Sequence, residues 1–98
     1  MIRHIALFSA KDPKHIDLIA KTLAGYSKIP GVKNFEVSKN RKIDALENDV
    51  DVILHAQFET EADLDAYKAH PIYLNGIEVV RPIRELRIAV DYDSSDIV

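Results

Sequence analysis

Residues 50–58 read VDVILHAQF, and Val50, Val52, Leu54, Ala56 and Phe58 alternate without a break against Asp51, Ile53, His55 and Gln57. Successive side chains of an extended chain point to opposite faces, so this period of two marks a strand with one face committed to a core. Downstream, Thr60-Glu61-Ala62-Asp63 has the form of a helix-opening capping box with aspartate in the place of the usual glutamate. Leu64, Tyr67 and His70 then follow one helical turn apart. Pro71 disfavours the helical region for His70 and marks a boundary or kink. Ile72, Tyr73, Leu74, Ile77, Val79 and Val80 suit a second helical piece, which Asn75-Gly76 weakens and Pro82 stops.

Upstream, residues 38–49 carry charges and asparagines with few apolar anchors, as a surface connection does. Before it, residues 32–39 alternate Phe35 and Val37 with Asn34, Glu36 and Ser38, a second strand whose lysines suit an edge position. Residues 2–9, IRHIALFS, form a first strand that is apolar on both faces. Asp12-Pro13 is a helix start, an N-cap carboxylate followed by proline where its missing donor is harmless. Ile16, Ile19, Ala20, Leu23 and Tyr26 continue at helical spacing until Gly25 and the Ile29-Pro30-Gly31 turn. At the far end Leu86, Ile88, Val90 and Tyr92 alternate with Arg87, Ala89 and Asp91 in a fourth strand.

The element order is therefore βαββαβ. Right-handed crossovers close it into an antiparallel sheet with its helices on one face, a ferredoxin-like α+β fold in a single domain of residues 1–98. Helices on one face can cover His4, Ala6 and Phe8 of the first strand, or Ile5 and Leu7, but never both sets. The uncovered set, joined by Ile53, predicts a homodimer in which two sheets pack face to face.

Composition narrows the function. Thirteen Lys and Arg against sixteen Asp and Glu give a net charge of −3, with the basic residues scattered, which argues against a nucleic-acid partner. The absence of cysteine excludes disulfides, thiolate metal sites and a cysteine nucleophile. The start MIRHIALFSAKD lacks the long apolar run of a signal peptide or spanning helix, so a cytoplasmic protein with no membrane association is expected. No His or carboxylate pair has the spacing of a metal site, and no cofactor is expected.

The opening MIRHIALF, the IPGV turn, residues 50–71 (VDVILHAQFETEADLDAYKAHP) and the closing RELRIAVDYD resemble the stress-responsive A/B barrel domain family, often called Dabb. Its members are ferredoxin-like monomers that dimerise into an α+β barrel, and plant polyketide cyclases are distant relatives. The resemblance implies that His4 and Tyr67 line a cavity between sheet and helices, as matching residues do in those cyclases. A histidine of the cyclases corresponds to Tyr73 here. Another corresponds to Val52, and Gly76 interrupts a stretch that is usually helical in the family; these two departures point away from the same substrate. Some relatives also hold a cation on backbone carbonyls of the turn formed here by Ile29, Pro30, Gly31 and Val32.

His4 and Tyr67 are accordingly the first candidates for catalysis, an imidazole that moves a proton and a hydroxyl that holds an oxygen. Tyr73 and His70 are the weaker candidates. His70 has a sufficient structural role in bonding helix-terminal carbonyls, and His55 falls on the dimer side of its strand. The expected function is binding of a small hydrophobic or aromatic carbonyl compound, with cofactor-free cyclase, isomerase or lyase chemistry. The alternative is a non-catalytic stress-response or ligand-binding protein.

Overall fold

Asp12 shows how the chain turns from strand to helix: its carboxylate accepts from the Lys14 amide, with Pro13 in the first turn. In the computed structural model, which describes residues 1–98, this cap joins β1 (Ile2–Ala10) to a 3-10 turn (Pro13–His15) and α1 (Ile16–Ala24). A second 3-10 turn (Gly25–Lys28) leads to β2 (Lys33–Lys39). Then come β3 (Val52–Phe58), α2 (Glu61–Ala69), α3 (Pro71–Val80) and β4 (Arg84–Asp93). Gly31, at φ 86°, supplies the left-handed residue that turns the chain into β2.

The four strands form one antiparallel sheet in the order β2-β3-β1-β4. Ala6, Phe8, Val52, Leu54, Ala56 and Phe58 are buried on its covered face, against Ile19 and Leu23 of α1, Leu64 and Tyr67 of α2, and Val80 of α3. Each large apolar side chain fully buried here stabilises the fold by roughly 1.5–3 kcal/mol. On the other face Leu7 pairs with Ile53 and Ile88, and Ile5 with His55 and Val90, leaving Ile88 46% and Val90 51% exposed. Contrary to the usual arrangement, β4 turns its aliphatic residues outward, and none of its residues is buried.

The Thr60 hydroxyl caps α2 by accepting from the Asp63 amide. At His70-Pro71 the backbone becomes extended (φ −70°, ψ 142°), and α3 starts afresh. The break expected at Gly76 does not occur, because α3 runs through it to Val80. The glycine is there for space. A Cβ at that position would stand 2.2 Å from the Tyr26 Oη and 2.4 Å from its Cε1, so the ring packs directly on the helix backbone. No helix is long and apolar enough to cross a membrane.

Candidate functional site

Between the covered face of the sheet and the helices lies a cavity of about 180 Å³. Its deep wall is His4, Ala6 and Phe8 of β1 with Leu54 of β3. Tyr67 and Tyr73 close it from the helix side, and Arg81, Arg84 and Arg87 also line it.

His4 is 2% exposed and stands directly opposite Asp91 in the β1–β4 register. Its Nδ1 lies 2.6 Å from the Asp91 Oδ1. A carboxylate only accepts, so Nδ1 carries the proton and Nε2 keeps a free lone pair that no protein donor meets. Burial pushes the imidazole pKa below its ordinary 6.5 more strongly than the hydrogen bond and charge of Asp91 raise it. His4 is therefore neutral at pH 7, a base with a fixed tautomer.

Tyr67 is fully buried in a cluster of rings, with centroids 4.9 Å from Phe58, 5.1 Å from Tyr73, 5.9 Å from Tyr26 and 6.2 Å from His4. Its hydroxyl makes no hydrogen bond within the protein. Its ring meets that of His4 edge to face. Burial, and then the neighbouring Tyr73 and Tyr26, push the phenol pKa far above its ordinary value, so it serves as a donor and not as a base. Tyr26, pushed up to about 12 by burial and then by Tyr73, donates to the Tyr73 carbonyl at 3.1 Å and braces α3.

Tyr73 faces the cavity and makes a long 3.5 Å contact from the Arg87 Nη2 to its hydroxyl. His70 does not line the cavity. Its Nδ1 accepts from the Ile72 amide at 3.1 Å and caps the N-terminus of α3, where bonding to helix-terminal carbonyls had been expected. His55 lies on the open face, its Nδ1 3.2 Å from the Asn34 carbonyl oxygen. No three histidine or acidic side chains converge as a metal ion would need.

Sequence reading singled out neither Asp91 nor the arginines. For Asp91 and Arg87 the signal is the phase of β4. Once Ile88 and Val90 continue the open apolar face of Ile5 and Leu7, period-two alternation sends Arg87, Ala89 and Asp91 toward the helices.

Comparison with known proteins agrees with this architecture. No curated protein sequence matches the chain. A dimeric ferredoxin-like protein of unknown function from Thermobifida fusca is 27% identical over 93% of this chain and 88% of its own, with a TM-score of 0.79. A Dabb family protein with a ferredoxin-like fold from Mesorhizobium loti is 25% identical over 94% of both chains, with a TM-score of 0.75. A protein from Arabidopsis thaliana shares the fold at 24% identity over 100% of this chain and 99% of its own, with a TM-score of 0.80. The profile of the Stress responsive A/B Barrel Domain matches residues 2–94. With the fold, the cavity and this match in agreement, the chain belongs to the stress responsive A/B barrel domain family, Dabb.

Proposed function

We propose that this protein is a homodimer in which each protomer binds a small aromatic or hydrophobic carbonyl compound and moves a proton on it without a cofactor. The observation that carries the reading is the Tyr67 hydroxyl, buried at the cavity with no partner. An unsatisfied buried donor costs about 1–3 kcal/mol, and a ligand oxygen would supply what the fold withholds.

His4 completes the pair. With Asp91 holding Nδ1–H, Nε2 is the group that takes a proton from carbon next to a carbonyl, and Asp91 stabilises the imidazolium that results. The Tyr67 hydroxyl then donates to the enolate oxygen as charge develops there. Return of the proton to the same carbon, to another carbon or to a leaving group makes the reaction exchange, isomerisation or elimination. Attack of the enolate on a second carbonyl makes it cyclisation.

The homodimer rests on the apolar open face of Ile5, Leu7, Ile53, Ile88 and Val90, a surface of the kind that marks an interface. Two such sheets packed face to face would close a barrel, and the Thermobifida relative is described as dimeric.

Phenylacetone in D2O tests the chemistry, with proton NMR following loss of signal at its α-carbons. Wild type should accelerate exchange over buffer, and His4→Ala and Tyr67→Phe should each abolish the acceleration while remaining folded. Binding without faster exchange would reduce the protein to a ligand carrier. No binding at all would overturn the site.

A further inference from the structure

The sequence RPIRELR, residues 81–87, brings three arginines to one cavity. Arg81 follows the last turn of α3, where a cation suits the helix dipole and needs no other purpose. Arg84 and Arg87 have no such explanation. Neither forms an ion pair, although carboxylates elsewhere on the chain engage Lys14, Lys33, Lys39 and Lys42. The one hydrogen bond of the Arg87 side chain is the 3.5 Å approach to the Tyr73 hydroxyl. Arg84 is only half-exposed, and burial and then the like charges of Arg87 and Arg81 lower its pKa. Two guanidinium groups that line one cavity without a counter-charge, the half-buried Arg84 and the more exposed Arg87, form an arrangement that an anion would relieve.

The geometry points to a ligand with two polar ends: an oxygen that meets His4 and Tyr67 in the depth of the cavity, and a carboxylate that meets Arg84 and Arg87. The inference rests on the site described above and narrows its substrate class to a small carboxylic acid. Size sets the scale. A dry cavity of about 150 Å³ accepts a benzene ring, and this one measures about 180 Å³. The Arg87 and His4 side chains both line this cavity, whose volume holds one ring, not several. A planar guanidinium matches a carboxylate through two parallel hydrogen bonds, which favours an acid over a neutral carbonyl of equal size.

4-Hydroxybenzoate and its neutral counterpart 4-hydroxybenzamide test the assignment, since they share the ring and a hydroxyl at its far end and differ in the charge. By calorimetry at low ionic strength, wild type should hold 4-hydroxybenzoate about tenfold or more tighter than 4-hydroxybenzamide, and added salt should erode that preference. Arg84→Gln combined with Arg87→Gln should equalise the two by weakening 4-hydroxybenzoate alone, and unchanged 4-hydroxybenzamide binding reports that the variant is folded. Equal affinities in wild type, or a preference that survives the double substitution, would overturn the carboxylate anchor. If neither probe binds but phenylacetone exchange is catalysed, the anchor falls and the proton-transfer reading stands. If exchange is absent as well, both fall.

Discussion

His4 and Asp91 face each other across the β1–β4 pair with 2.6 Å between Nδ1 and Oδ1, although 87 residues separate them along the chain. The pair couples a group in the deep wall of the cavity to one near the surface, and it fixes which imidazole nitrogen is basic. Asp91→Asn keeps the shape and removes the charge. Nitrogen NMR of His4 should then show loss of the single Nδ1–H tautomer, and the imidazole pKa should fall further, because the hydrogen bond and charge that raise it are gone. Catalysed exchange should drop by roughly 10² or more. An unchanged tautomer and titration would remove Asp91 from the site.

Tyr67→Phe separates stability from function. The hydroxyl is buried and unpaired, so deleting it should leave stability unchanged or raise it by up to about 1 kcal/mol in urea unfolding, while ligand binding weakens. A loss of 2 kcal/mol or more would mean that the hydroxyl has a partner in the folded protein after all.

Gly76→Ala tests the close approach of Tyr26. Alanine improves helix propensity by about 1 kcal/mol, yet its methyl would overlap a ring fixed by a bond to the Tyr73 carbonyl. Overpacking of this kind costs about 1–3 kcal/mol, so the variant should be less stable, with the midpoint of urea unfolding lowered. A stabilised variant would show that Tyr26 moves aside freely.

Acid should destabilise the fold through His4. Its pKa is lowered in the folded state, so between that value and 6.5 the unfolded chain binds the extra proton. Stability is then fully present above pH 6.5 and is lost as pH falls toward the folded-state pKa, below which this contribution levels off. His4→Gln should flatten that part of the profile. A wild-type profile with no slope in this window would refute the assignment.

The homodimer predicts a mass of twice 11.1 kDa by light scattering at micromolar concentration. Val90→Lys, on a residue already half exposed on the open face, should give a folded monomer. A wild-type monomer would leave the apolar face without its proposed partner.

Much of the fold was legible because each element carries its own period. The alternation in β3, the Asp12-Pro13 and Thr60 starts and the His70-Pro71 break all fall where local chemistry puts them. The identity of His4 and Tyr67 as cavity residues followed from a family likeness, and the structure brings both to one cavity. What lay beyond reach depends on long-range pairing. Nothing local tells which face of β4 turns inward, since a strand with one apolar face ordinarily buries it, and nothing local sets the register that puts Asp91 opposite His4. Gly76 misled for a related reason: glycine reads as a helix breaker unless the ring that needs its missing side chain is known to lie above it.

The unburied β4 has an evolutionary consequence. A strand that holds the sheet through backbone pairing, while placing Arg84 and Arg87 at the cavity and Ile88 and Val90 at the open face, owes little to the hydrophobic core. Substitutions along it can re-specify what is bound, or with whom the chain assembles, at small cost to folding. Descendants of such a sequence can change binding preference or assembly by editing ten consecutive residues, the length of β4, while the layers beneath stay as they were.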